Sequence, residues 1–257
     1  MLTKITPVIL TYNEAPNIGR TLAQLKWARE IVVVDSFSTD TTEAICSQYN
    51  TVRLFKRAFD THSNQWNYAI QETGITTEWI LSLDADYFVS DELREEIRNL
   101  WPTEGTNAYF ARFNFAINGK VLSGSLYPPI AVLFRNNFSS YVQDGHTQRL
   151  KVEGTAQFLR SAIILDDRKP LSQWIAAQSK YAKLEADKIS KSRYSTLCWT
   201  DRLRKCIFFA PWAIFMYTLF YKKAILSGWH GIFYSFQRLA FEVVLSLYLL
   251  EKKVTKP

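Results

Sequence analysis

The sequence predicts an α/β domain on a doubly wound, mostly parallel sheet with flanking helices, followed by a separate amphipathic to apolar helical region. Three observations carry that prediction. Short β-branched runs alternate with helical patterns over about the first ninety residues, the spacing of strand–helix–strand units. Acidic residues stand just after three of those runs, and charge and hydropathy change character after residue 168.

Residues 5–10, 31–34, 52–55 and 79–83 are apolar runs of strand length. Between them, residues 17–25 carry Ile18, Leu22 and Leu25 at helical spacing. Residues 41–49 follow Asp40, a good N-cap, and residues 63–72 form a third helical pattern. From Asn107 to about Leu165 further strands are expected, with turns at Asn118-Gly119 and Pro128-Pro129. Asn-Gly between residues 113–117 and 120–122 is a hairpin signal. From Leu171 the pattern is helical, with Trp174, Ile175, Gln178, Tyr181, Ala182 and Glu185 on or near one face.

The 257 residues are 47% hydrophobic and 21% charged with 9 Gly and 8 Pro, which excludes a disordered, collagen-like or low-complexity chain. A net charge of +7 points to nucleic acid or an anionic membrane only if it is read as a property of the whole chain. Residues 1–168 hold 16 Lys and Arg against 19 Asp and Glu, net −3, whereas residues 169–257 hold 15 against 5, net +10. Cys46, Cys198 and Cys206 form no CxxC pair and suit a reducing compartment. The N-terminus turns polar after a short apolar run, so a cytosolic start is expected.

In the basic third, Arg202, Arg204 and Lys205 precede the apolar residues 207–221, and Lys222-Lys223 closes that run. After residues 224–236 and Gln237-Arg238 comes a second apolar run, 239–250. Arg238, Glu242 and Ser246, four apart, make a narrow polar stripe on an otherwise apolar helix. The run 207–221 rises only about 22 Å, against roughly 30 Å of bilayer hydrocarbon. With Pro211 inside and cations at both ends, helices lying in the interface or entering it shallowly are expected, their Lys and Arg at anionic headgroups. A helical hairpin buried in a homo-oligomer is the alternative. The cations bracket the apolar blocks instead of interleaving with aromatics, which argues against stacking on nucleic acid.

Ligands of such sheets bind beyond the carboxyl ends of the strands. There the sequence places Thr11-Tyr12-Asn13-Glu14, Asp35 and Asp84-Ala85-Asp86. Asp84 and Asp86 share a parity, so both carboxylates can approach one hard cation, Mg²⁺ or Mn²⁺, bridging to a diphosphate. Singly, each acid is more often a turn or a helix cap. Three on one edge point to a site.

These stretches resemble family-2 glycosyltransferases of the GT-A fold. The motifs are Thr11-Tyr12-Asn13-Glu14, Asp35-Ser36-Phe37-Ser38-Thr39-Asp40-Thr41, Asn67-Tyr68-Ala69 and Leu83-Asp84-Ala85-Asp86. The tail, with Pro211, Phe215, Tyr221, Gly228, His230 and Gly231, is similar to the branch that includes lipopolysaccharide-core glucosyltransferases. The resemblance implies a GT-A catalytic domain over residues 1–168, and the charge split reads residues 169–257 as a membrane-associating region, at the cytoplasmic face of the inner membrane. It implies a nucleotide-diphosphate sugar donor, a UDP-sugar foremost, and a glycan or glycolipid acceptor. By matching positions, Thr11 and Glu14 would line the nucleotide pocket with Tyr12 beside it. Asp35 would hold the base or ribose, Asn67 would lie near the nucleotide, Asp84 would contact ribose or metal, and Asp86 would bind the metal. A metal there would stabilise the charge that develops on the leaving diphosphate.

Inversion also needs a general base for the acceptor hydroxyl. Asp144 is the candidate, with a plain Asp144-Gly145 turn as the alternative. His146 is read as a metal ligand, a phosphate contact or the base itself. Arg168 or Lys169 would close over the diphosphate, or belong to a solvated cap. The Gln-x-x-Arg-Trp signature of processive members is absent from the sequence, which implies one sugar per acceptor. Two other readings stay open: transfer to a polyprenyl phosphate, and a non-catalytic membrane scaffold.

Overall fold

Ile31, Val32, Val33 and Val34 are all buried, which a strand allows only when both faces of its sheet are covered. The computed structural model describes residues 1–144 and 147–255, with the side chains of Asp144 and Thr147 also outside the described set. The first elements are β1 (Ile5–Thr11), α1 (Ile18–Gln24), β2 (Ile31–Asp35), α2 (Thr42–Cys46), β3 (Val52–Lys56), α3 (His62–Gln71) and β4 (Trp79–Asp84). Next come β5 (Tyr87–Phe88), α4 (Asp91–Arg98), β6 (Thr106–Ile117), β7 (Lys120–Val121), β8 (Ile130–Arg135), β9 (Ser139–Asp144), β10 (Thr147–Val152) and β11 (Thr155–Leu165). The helices α5 (Leu171–Lys191), α6 (Trp199–Arg204), α7 (Phe209–Met216) and α8 (Trp229–Val254) follow.

The chain forms two units, Met1–Asn118 with Tyr127–Arg168, and Gly119–Leu126 with Lys169–Pro257. In the first, the strand order is β3-β2-β1-β4-β8-β6-β11-β5. Strands β3, β2, β1 and β4 are parallel neighbours, β8 runs antiparallel between β4 and β6, and β11 returns parallel to β6. Period-two alternation sends Ile9, Val33 and Leu81 to one face with Ile18 and Leu22, and Val8, Val32 and Ile80 to the other with Trp66 and Ile70 of α3. Each such aliphatic side chain contributes about 1.5–3 kcal/mol when buried.

One irregularity is braced by a charge. The register of β11 shifts against β6 between Phe158 and Ala162. The Arg160 and Ser161 N–H groups released there donate to the Glu96 carboxylate of α4 at 2.7 and 2.8 Å. Burial raises the Glu96 pKa, but those two bonds outweigh it and leave the group below its ordinary value. The Asn-Gly signal also has its expected geometry, since Asn118 and Gly119 both take left-handed backbone at φ 49° and 84°.

Three features of the second unit lie beyond the periodicity of the sequence. Gly119–Leu126 belongs to it, because Ser123 N–H donates to Ser227 Oγ at 2.8 Å and Leu126 N–H to the Tyr234 hydroxyl at 3.0 Å. Pro211 sits in the first turn of α7, where its missing N–H costs no helical bond, so it opens the helix instead of kinking it. The apolar run 239–250 and residues 229–238 before it are one helix, α8, of 26 residues, through which Arg238 continues with its guanidinium over the Tyr234 and Phe241 rings. Gly231 permits that packing: a Cβ there would lie 1.7 Å from the Ala224 carbonyl oxygen.

In α5 the buried residues are Ala182, Glu185, Ala186 and Ile189. Ile175, expected on the same face, is exposed.

Cys46 is buried, and Cys198 and Cys206 are exposed. Burial first, then the Asp35 and Glu43 charges, push the Cys46 thiol up to about 12. At pH 8 the native protein is therefore expected to take two equivalents of iodoacetamide and the denatured protein three, read by mass spectrometry. Rapid native labelling at Cys46 would contradict this burial.

Candidate active site

Register builds the edge before any side chain is considered. Thr11 pairs with Asp35 across β1 and β2, and Leu10 pairs with Asp84 across β1 and β4. Three adjacent parallel strands therefore end side by side. Asp35, only 1% exposed, would be a costly buried charge without partners. Its carboxylate accepts from Thr11 Oγ1 at 2.9 Å, Ser38 N–H at 2.8 Å and Ser38 Oγ at 2.5 Å. Asp35 is thus the fastening of the loop that follows β2.

That loop is stitched to the one after β1. Asn13 N–H donates to Ser38 Oγ at 2.8 Å, Thr39 N–H to Asn13 Oδ1 at 2.8 Å and Glu14 N–H to Thr42 Oγ1 at 2.8 Å. Ala15 N–H reaches Asp40 Oδ2 at 3.1 Å. Burial raises the Asp40 pKa, but bonds from the Thr42 side chain and backbone and from Ala15 outweigh it and hold the group low. Two aromatic side chains, Tyr12 and Phe37, stand about half exposed on these stitched loops. Phe37 escapes sequence reasoning. Its signal is structural, a bulky residue held at φ 60°, a conformation such side chains rarely adopt.

Asp84 and Asp86 are half-buried with Ala85 buried between them. The turn is pinned because Thr21 Oγ1 of α1 donates to the Ala85 carbonyl at 2.6 Å and meets that of Tyr87 at 3.0 Å. Burial first, then Asp84, Tyr127 and Asp86, hold the Tyr87 phenol well above its ordinary pKa, and its hydroxyl lies 2.6 Å from that of Tyr127. Burial and Asp84 raise the Tyr141 phenol as well. Both carboxylates therefore act on one buried phenol, Tyr87.

Asn67, which the resemblance sets near the nucleotide, bonds to strand β9. Its amide donates to the Tyr141 carbonyl at 2.9 Å and accepts from the Tyr141 N–H at 2.8 Å, completing a strand-like pair with β9. Ser63 N–H donates to Gln143 Oε1 at 3.2 Å, and Trp66 stacks on Tyr141 with ring centres 5.3 Å apart. Helix α3 thus anchors the β9–β10 hairpin. His146 and the Asp144 side chain, both singled out from the sequence, lie outside the described residues.

Asn17 is a hub that the sequence did not mark. Fully buried, it donates to Glu14 Oε2 at 2.9 Å and Asp167 Oδ1 at 2.8 Å, and accepts from Arg20 at 2.8 Å and from Arg168 N–H at 2.9 Å. Every hydrogen-bonding position of its amide is used. Arg168 also donates from Nε to Asp166 at 2.9 Å, which Arg20 meets at 2.8 Å. The cluster after β11 therefore clamps the Glu14 loop, with the Arg168 backbone N–H and Nε both part of that clamp.

The edge is that of a parallel α/β protein: side-by-side strand ends, two stitched loops and a pair of half-buried carboxylates. The chain belongs to glycosyl transferase family 2, whose model matches residues 6–163. An uncharacterised glycosyltransferase of Rickettsia felis is 35% identical over 109 residues, covering 42% of this chain and 38% of that protein. The chain thus spans well under half the length of that curated relative. The lipopolysaccharide core biosynthesis glycosyltransferase LpsC of Rhizobium meliloti is 26% identical over 247 residues, 87% of this chain and 84% of LpsC. Among solved structures, S. aureus TarS 1–349 in complex with UDP-GlcNAc matches with a TM-score of 0.48 and 13% identity over 99% of this chain and 93% of TarS 1–349.

Asn17→Leu leaves the four groups around that amide without their partner. It is expected to cost about 2–4 kcal/mol, read as a lower urea midpoint. A midpoint equal to wild type would remove Asn17 as the hub.

Proposed function

We propose that this chain is an inverting, metal-dependent glycosyltransferase. It moves one sugar from a nucleotide-diphosphate donor, a UDP-sugar foremost, to a hydroxyl of a lipopolysaccharide-core type glycan at the cytoplasmic face of the inner membrane. One observation supports this above the others: the register that lines up Thr11, Asp35 and Asp84 at adjacent strand ends, with Asp86 two residues on. The acceptor class rests on the likeness to LpsC over most of both chains.

Asp84 and Asp86 fit a hard divalent cation, being oxygen donors that flank one buried phenol. Among the described residues no group of three or more His, Cys, Asp or Glu side chains converges. Mg²⁺ or Mn²⁺ takes one or two carboxylates and completes its shell with phosphate oxygens and water. When bound, the cation supplies stabilisation of the charge on the departing diphosphate.

The chain's own residues do the rest. Tyr12 and Phe37 present aromatic surface to the nucleoside, and Thr11 and Glu14 line the floor beneath it. The Asp144 carboxylate takes the proton of the acceptor hydroxyl as its oxygen attacks the anomeric carbon. The bond from that carbon to the diphosphate oxygen breaks with its electron pair, and configuration inverts. Asn67 acts through Asp144, because it fixes the hairpin on which Asp144 stands.

EDTA is expected to stop release of the nucleoside diphosphate, Mn²⁺ to restore it, and Asp86→Asn to lower it by about a hundredfold. Turnover indifferent to chelation would sink the metal role. Asp144→Asn is expected to keep donor affinity by calorimetry and to lose transfer by about 10²–10⁴-fold; near-normal transfer would remove Asp144 as base.

A further inference from the structure

Helix α8 is apolar on both sides. Its inward face carries Phe241, Leu245 and Leu249 against Ala182, Ala186 and Ile189 of α5. The polar stripe lies on that inward side. Glu242 accepts from two of the three Arg204 nitrogens, Nη2 at 2.7 Å and Nε at 3.1 Å, and Ser246 Oγ donates to the Ile207 carbonyl at 2.9 Å. The opposite face is exposed and just as apolar: Trp229, Phe233, Phe236, Ala240, Val243 and Leu247 recur at spacings of four and three. A water-facing helix surface normally carries charge on this stripe.

A second exposed row, Phe209, Trp212, Met216 and Phe220, runs along α7 and the π-helical turn Tyr217–Tyr221. The rows adjoin, because Phe215 of α7 meets the ring of Phe236 at 5.2 Å. Cations sit at the ends of the α7 row, with Arg202 and Lys205 before it and Lys222 and Lys223 after it. The charge that remains outside is positive for a structural reason. Of the five acidic side chains after residue 168, Glu185, Asp201 and Glu242 pair with Arg204 inside the unit, and Asp187 pairs with Lys252.

We infer that this face enters one leaflet of an anionic bilayer, with α7 and α8 lying along the surface. The inference deepens the membrane setting of the proposed function and names the surface that would meet the lipid. Charge complementarity and aromatic side chains favour lipid over a second copy of the chain. A two-helix seam is narrow and flanked by charges. Here the stripe is flanked by Ile232, Leu239 and Val244 and continues onto another helix. By length and composition α8 is long and apolar enough to cross a membrane. Its inward face, however, is covered by α5, and crossing would carry Lys180, Lys183 and Lys191 of that helix into hydrocarbon, where an ammonium group is costly. One-leaflet entry avoids this.

The test is flotation of the full chain with preformed vesicles of phosphatidylcholine alone or mixed equally with phosphatidylglycerol. Wild type is expected to float with the mixed vesicles and to return to the soluble fraction on dilution. Trp212→Ser with Trp229→Ser should reduce the bound fraction at least tenfold, whereas Trp101→Ser, at an exposed site of the first unit, should not. Lys222→Glu with Lys223→Glu should erase the preference for anionic vesicles. Circular dichroism melts verify that each variant is folded. Flotation of the double Trp variant equal to wild type overturns the inference, and so does retention through dilution, which signifies a crossed bilayer. A dimer by light scattering that the same Trp variant dissociates, with no vesicle binding, assigns the face to a second copy. Release of nucleoside diphosphate is assayed without vesicles, so loss of flotation with turnover intact leaves the proposed reaction standing.

Discussion

A buried carboxylate organises the functional edge. Asp35 ends a strand covered on both faces, where an unpaired charge would be expensive. The structure neutralises that cost with three hydrogen bonds, from Thr11 and twice from Ser38. Those bonds fix the start of one loop against the end of the neighbouring strand, and Asn13, Glu14 and Ala15 extend the stitching. Because the parallel register sets which residues are adjacent, a demand made by one buried group shapes the whole rim. The same logic recurs at Asn17, whose buried amide joins the Glu14 loop to Asp167 and Arg168.

The two units spend their polar groups in different ways. In the first, the polar groups at the strand ends hold the loops, while the half-buried Asp84 and Asp86 face the edge. In the second, acids are turned inward onto Arg204. Burial alone would lower the pKa of that guanidinium, but Glu242, Glu185 and Asp201 outweigh it and raise it. A buried pair of this kind adds little net stability. Its effect is positional: it turns the polar stripe of α8 inward and leaves an apolar stripe outside. The +10 balance of residues 169–257 therefore understates how basic that unit's outer surface is.

The apolar runs alone made strands β1 to β4 and helices α1 to α3 readable. Continuous β-branched stretches require a sheet covered on both faces, and runs of that length between helical patterns leave few topologies. The strand-end acids could be read for the same reason, since their place in the chain sets their place on the sheet. Asn17 and Asn67 could not be read this way. Each makes its decisive bonds with a segment far away in sequence, Asn17 with Asp167 and Arg168 and Asn67 with Tyr141. Arg168 is a similar case, because a cation beside acids in sequence gives no sign of whether it faces a ligand or a neighbouring carboxylate.

The sequence by itself determined a parallel α/β block with acids at its strand ends and a basic, apolar tail, because periodicity and charge are local properties. Only the tertiary structure decided which polar groups are used up inside. It committed Asn67 to a hairpin, Arg168 to a clamp and Glu242 to Arg204, it made α8 one helix through Gln237 and Arg238, and it moved Gly119–Leu126 into the second unit. The physical reason is common to all of them. A hydrogen bond or ion pair between distant segments leaves no periodic trace in the chain, and burial sets its value only once the fold has brought the partners together.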